Sequence, residues 1–149
     1  NKGVRTHGMQ VGGAHQFDFG WVKMVHAQHG TGFVTEQGDI VYMGDPAGML
    51  YRVEEKTILH AGDTGLFGDM KLIGDRHEID IAFLPIGDNY TMGPEDGLVA
   101  VEFLNPKVVV PVHYNTFPLI EQDAQAFAEA VKKTGRECYP LSPGESFDW

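Results

Sequence analysis

Two apolar runs in this 149-residue chain stop abruptly on side chains that bind cations or protons. Thr57-Ile58-Leu59 leads through His60-Ala61 into Gly62-Asp63-Thr64-Gly65-Leu66-Phe67-Gly68-Asp69-Met70. Val108-Val109-Val110-Pro111-Val112 leads into His113-Tyr114-Asn115-Thr116. A strand that ends on a small-residue turn holds a polar side chain at the rim of a rigid sheet, where binding residues concentrate. One of these ends carries a carboxylate and the other an imidazole. Together they point to a metal site.

The rest of the chain divides into two halves of different character. In the first, His15 to Phe19 alternates before Gly20, and Trp21 to Ala27 reads as a strand ending near Gln28-His29-Gly30. Residues 30–38 read as a loop with a short apolar interruption at Phe33-Val34, and Asp39 to Met43 as a strand. Asp45-Pro46-Ala47-Gly48 matches the preferences of a type I turn. Met49 to Val53 and Thr57 to Ala61, joined by Glu54-Glu55-Lys56, predict a hairpin.

The second half alternates strands with helices. Ile79 to Ile86, broken only by Asp80 and Pro85, predicts a strand buried on both faces. Pro94-Glu95-Asp96 opens a helix, because proline suits its first position and acids its positive end, and Asn105-Pro106 closes it. Val108 to Val112 is a second buried strand. Ala124, Phe127, Ala128 and Val131 follow the stripe of an amphipathic helix that stops at Gly135. The length fits a single domain over residues 1–149.

Charge narrows the partners. The net charge is −10 with 11 Lys and Arg, whereas nucleic-acid binding needs clustered cations and the longest basic run is Lys132-Lys133. A small-molecule substrate is expected instead, with no membrane partner, since no apolar run approaches the roughly 18 residues that span a bilayer. A homo-oligomer is compatible with this composition. The single cysteine, Cys138, excludes an internal disulfide and fits a cytoplasmic setting. No neighbour of Cys138 is suited to activate a thiolate.

Four predicted strands end in polar groups beside small residues: His29, Asp63, Asp88 and His113. If these ends share one edge, two imidazoles and up to two carboxylates converge, and such groups bind zinc, manganese or iron. Taken singly, each residue also reads as structural, the histidines as hydrogen-bonded and the Gly-Asp pairs as turns. His60 reads as a packing residue, His15, His26 and His77 as surface or core residues, and Asp69 as the cap of a turn or helix.

Several segments occur in a recognisable order. They are Thr6-His7-Gly8-Met9, Gly12-Gly13, Ala61-Gly62-Asp63-Thr64-Gly65-Leu66, Leu84-Pro85-Ile86-Gly87-Asp88, Tyr90-Thr91-Met92-Gly93-Pro94 and Pro111-Val112-His113-Tyr114-Asn115-Thr116-Phe117-Pro118. Together they resemble the metallo-β-lactamase-fold, metal-dependent hydrolases related to L-ascorbate-6-phosphate lactonase. The resemblance implies an α/β fold, an αββα sandwich with a binuclear metal site, zinc or manganese, at the sheet edge. It implies that His29 binds the first metal, that Asp63 bridges both and orients the catalytic hydroxide, and that His113 binds the second. Asp88, Thr91 and Met92 fall in a loop near the pocket and are its expected substrate contacts. The implied reaction is attack of a metal-activated hydroxide on an ester, lactone or phosphodiester.

One departure is large. The family signature His-x-His-x-Asp-His, which supplies ligands to both metals, does not occur in this sequence, and His26 and His29 have the wrong spacing to replace it. What is present resembles the C-terminal two-thirds of such a hydrolase, and the opening Asn1-Lys2-Gly3 lacks methionine. The chain is therefore expected to need an N-terminal segment or partner chain carrying that signature. The alternative is a non-enzymatic fragment or partner subunit without a full metal site.

Overall fold

A computed structural model describes residues 3–148. Its centre is a seven-stranded sheet built from β1 (Ala14–Phe17), β2 (Gly20–His26), β5 (Ala47–Val53), β6 (Lys56–His60), β7 (Ile81–Pro85), β8 (Val108–Val112) and β9 (Glu137–Cys138), side by side in that order. Between β2 and β5 the chain leaves the sheet as a separate hairpin, β3 (Gly32–Val34) with β4 (Ile40–Tyr42). From β1 to β6 neighbours run antiparallel; from β6 to β9 they run parallel. The parallel half needs crossovers, and α1 (Met70–Arg76), α2 (Pro94–Leu104) and α3 (Ala124–Lys132) supply them. The change of character read from the sequence is this change of strand direction.

All three helices pack on one face of the sheet. Leu50, Leu59, Ala82 and Val109, which lie on that face of successive strands, meet Met70 of α1, Ala100, Val101 and Leu104 of α2, and Phe127 and Val131 of α3. The stripe expected for α3 is buried throughout, and Asp123 caps the helix by accepting the Ala126 N–H at 2.9 Å. Close approach of α1 to α2 depends on Gly74, where a β-carbon would stand 2.1 Å from the Phe103 carbonyl oxygen. On the other face Ile58, Ile81 and Val108 form one row across the ladder and His60, Phe83 and Val110 the next. Among the described residues only Tyr139, Leu141 and Phe147 from the end of the chain join that cluster, and no helix residue does. Among the described residues, then, one β layer and one helical layer of the sandwich are present. No described helix is long and apolar enough to cross a membrane.

Asp80 fastens the far end of the parallel strands. Its carboxylate accepts the Thr57 N–H at 2.8 Å and the Lys107 ammonium at 2.7 Å, tying the starts of β6 and β8 to β7. Burial pushes the Asp80 carboxyl up, but the Lys107 and Thr57 hydrogen bonds outweigh it and hold the carboxyl below its ordinary value. Burial also pushes the Cys138 thiol up to about 12, which leaves it inert at neutral pH.

Three expectations fail for local reasons. Ala47 and Gly48 belong to β5, paired with His26 and Val25, so ladder pairing overrides the turn preference of Asp45-Pro46. Phe33-Val34 is a strand, too short for periodicity to reveal. Asp69 sits at the cap position of α1, but its backbone is already helical (φ −71°, ψ −8°) and its side chain makes no capping bond.

Candidate metal centre

Strand direction brings the four polar ends to one edge. β2 runs opposite to β5, and β5 opposite to β6, so β2 points the same way as β6, β7 and β8. His29, Asp63 and Asp88 each follow their strand by three residues, and His113 follows β8 directly. Ligands in open α/β sheets bind outside these carboxyl ends.

The loops at this edge are tied to one another through Thr64, which is fully buried. Its hydroxyl accepts the Gln28 N–H at 2.9 Å and donates to the Gly65 carbonyl at 2.7 Å. Gly65 N–H donates back to the Gln28 carbonyl at 3.0 Å. On the other side the Thr64 carbonyl accepts the Met92 N–H at 2.9 Å, and the Met92 carbonyl accepts the Asp88 N–H at 3.2 Å. The Asp88 loop in turn abuts the His113 loop, since a β-carbon on Gly87 would stand 2.3 Å from the His113 carbonyl oxygen. Among the described residues, four of the six non-glycine residues with positive φ lie here: Asp88, Asn89, His113 and Asn115. Each holds a backbone conformation that L-residues disfavour, and such strain collects at functional sites.

Asp63 and His113 are the pair that comes together. Asp63 Oδ2 lies 3.6 Å from His113 Nε2, with both side chains partly exposed. That distance is too long for a hydrogen bond. It suits two ligands of one ion, which at metal–ligand distances of 2.0–2.2 Å in a tetrahedral site stand about 3.4 Å apart. His113 Nδ1 is buried and finds no hydrogen-bond partner among the described residues.

His29 reaches the same edge through its backbone neighbours. Its Nδ1 lies 2.8 Å from the Gly30 carbonyl, which can only accept, so Nδ1 carries the proton and a neutral ring keeps its Nε2 lone pair free. Backbone-fixed tautomers of this kind are usual in metal-binding histidines. The His29 ring does not join the other two, and no group of three His, Cys, Asp or Glu side chains clusters for a metal among the described residues.

The substrate loop needs one correction. Met92 is 1 % exposed and lies in the core under the helices, so its side chain has no surface to offer a substrate. It serves through its backbone, which links Asp88 to Thr64. Asp88 remains exposed, with Oδ1 accepting the Asn89 N–H at 2.8 Å, and Thr91 is half-buried. Sequence reasoning missed Tyr90 and Phe117, exposed rings 6.1 Å apart between the Asp88 and His113 loops, and it missed the role of Thr64. His60 packs as expected: it stacks on Phe83, and its Nδ1 accepts the Gly62 N–H at 3.1 Å. His7 stacks on His15 of β1 at 3.9 Å. Beside His113 a cleft of about 600 Å³ opens between Thr116, Gln125, Pro140 and Ser142.

The chain is similar to known proteins in sequence and in fold. The family described as "Beta-lactamase superfamily domain" matches residues 1–114. A UPF0173 metal-dependent hydrolase of Geobacillus sp. strain WCH70 is 60 % identical over 148 residues, covering 99 % of this chain and 64 % of the relative. Another from Lysinibacillus sphaericus is 62 % identical over 144 residues, covering 97 % and 63 %. Among solved structures, Igni18, a metallo hydrolase from the hyperthermophilic archaeon Ignicoccus hospitalis, superposes with a TM-score of 0.83 at 35 % identity over 99 % of this chain and 63 % of that one. The chain thus spans less than two-thirds of the length of these relatives.

Proposed function

Because this chain belongs to the metallo-β-lactamase superfamily, within the UPF0173 metal-dependent hydrolases, we propose that it carries the bridging half of a binuclear hydrolase centre. The observation that carries the reading is the 3.6 Å separation of Asp63 Oδ2 and His113 Nε2 at the carboxyl edge of the sheet. Asp63 would hold both ions, His113 one of them and His29 the other. Zinc or manganese bound there would lower the pKa of water toward about 7 and polarise an ester, lactone or phosphodiester under attack. Asp63 has one carboxylate oxygen toward His113 and the other without a protein partner among the described residues, the arrangement a shared ligand needs. Thr64 positions the Asp63 and His29 loops against each other. The cleft beside His113 would take the body of the substrate, and Asp88 and Thr91, on the loop that abuts the His113 loop, would be further substrate contacts.

The remaining ligands would come from an N-terminal segment carrying His-x-His-x-Asp-His, which would also lay a second sheet over the face that carries Ile58, Phe83 and Val110. Two clustered side chains leave most coordination positions to water, so residues 1–149 alone are expected to bind metal poorly and to be inactive. The test is to measure metal content and hydrolysis of generic ester and phosphodiester probes with and without that segment. Activity that needs the segment, disappears on chelation and returns with zinc or manganese supports the proposal. Turnover that survives chelation overturns it.

A further inference from the structure

The loop that carries His113 is gripped by a side chain to which the proposed reaction gives no part. Asn115 follows His113 by two residues, and the two have φ of 58° and 55°. Backbone in that region persists only where its surroundings over-determine it. Asn115 supplies the constraint. Its N–H donates to the Ile120 carbonyl at 2.9 Å. Its side-chain amide closes a ring with the backbone of Gln122, Nδ2 donating to the carbonyl at 3.0 Å and Oδ1 accepting the N–H at 2.7 Å. Only this orientation of the amide satisfies both bonds.

The segment on the far side of the grip is anchored in the core. Ile120 is fully buried, and Asp123, next after Gln122, caps α3. α3 in turn packs on the sheet through Phe127 and Val131. His113 thus lies on one arm of a loop whose other arm is fixed, and the Asn115 amide joins the arms. The anchored arm is also tied to the Asp88 loop, because Gln122 Nε2 donates to the Gly87 carbonyl at 3.2 Å. A β-carbon on Gly87 would stand 3.1 Å from Ile120 Cβ, so the two loops are packed as well as bonded.

The imidazole of His113 needs such outside support. A metal-binding histidine usually donates its other ring N–H to a carboxylate, a carbonyl or water, which fixes the direction of the ring. His113 Nδ1 is buried and has no such partner among the described residues. The direction of Nε2 toward Asp63 is therefore set by the backbone from which the ring springs.

We propose that Asn115 is a positioning residue for His113, setting through its bonds to Gln122 how well Nε2 can share an ion with Asp63. The proposal rests on the reading of His113 as a metal ligand. Asn115 does not touch the ion; it acts through the backbone of His113.

The test uses the protein expressed with the N-terminal segment proposed above and the variants Asn115→Ala, Asn115→Gly and Asn115→Asp. Glycine accepts the positive φ without steric cost but lacks the amide, whereas aspartate keeps an acceptor for the Gln122 N–H. In a zinc titration the Ala and Gly variants should weaken one site about 10- to 100-fold, the range for a lost outer partner, and the Asp variant should weaken it less. A second readout needs neither metal nor activity. The nuclear Overhauser effect between the His113 N–H and its own Hα is strong where φ is positive. In the metal-free protein it should weaken in the Ala and Gly variants and persist in Asn115→Asp. An Asn115→Gly variant that binds zinc as the unmodified protein does overturns the positioning role alone. Zinc loss that follows loss of thermal stability, with the His113 signal unchanged, overturns it too and makes Asn115 merely structural. An unmodified protein that binds no zinc overturns the reading of His113 as a ligand and takes this proposal with it.

Discussion

The Gln28 N–H donates to the Thr64 hydroxyl at 2.9 Å, so the residue before His29 is latched to the residue after Asp63. Two candidate ligands from distant parts of the chain are thereby held in register by one buried side chain that binds nothing itself. Thr64→Val keeps the shape and removes the acceptor, leaving the Gln28 N–H without its partner. A loss of about 1–3 kcal/mol is expected, measured as a lower urea midpoint, together with weaker metal retention. Thr64→Ser, which keeps the hydroxyl, should recover most of both.

Asp63 and Asp69 lie six residues apart on the same loop and are expected to behave oppositely. Asp63→Ala should abolish chelator-sensitive hydrolysis in the complete assembly and reduce its metal content. Asp69 makes no capping bond, so Asp69→Ala should change stability by no more than about 0.5 kcal/mol and leave activity intact. Comparable loss of activity in two folded variants would contradict the assignment of Asp63 as the bridging ligand.

Two glycines that are both packed against backbone separate site from scaffold. A β-carbon at Gly74 would collide with the Phe103 carbonyl and one at Gly87 with the His113 carbonyl. Both alanine variants should lose about 1–3 kcal/mol, as over-packed positions do. Only Gly87→Ala should also weaken metal binding, because relief there moves the His113 loop. Calorimetry read beside metal titration distinguishes them.

Asp80 makes the fold acid-sensitive in a defined direction. Its carboxyl is held below the ordinary 3.8, so the folded state binds the proton less readily than the unfolded chain does. The resulting stability is fully present above that ordinary value and is lost as the pH falls through the lower, folded one. Urea midpoints measured from neutral to strongly acidic pH should decline less steeply in Asp80→Asn, which is less stable at neutral pH but has no charge there to lose.

What could be read from the sequence followed from what local pattern encodes. The β5–β6 hairpin, β7, β8 and α3 were legible because their apolar periods are long and their ends carry turn or cap residues. Asp63 and His113 were legible as candidates because each ends an apolar run on a ligand-type side chain, and the structure brings the two within 3.6 Å of each other. α1 escaped because its seven residues include Gly74, a poor helix former kept for its contact with α2. Thr64 escaped because a buried hydroxyl looks like any small residue until its partners from the Gln28 and Met92 loops are known. Met92 was misplaced for a related reason: its motif marks the loop near the site, but not which side chains of that loop turn inward.

The N–H of Ala27 donates to the Pro46 carbonyl at 3.4 Å, closing the base of the excursion that carries His29 and the hairpin. The chain leaves the sheet and returns to it at one point, so residues 28–45 form a cassette in the architectural sense. Insertions or deletions at its tip, around Gln37, change the length of the arm without shifting the pairing of β2 with β5. Descendants of this fold are thereby free to vary the reach of the arm while the ladder that aims Asp63 and His113 stays fixed.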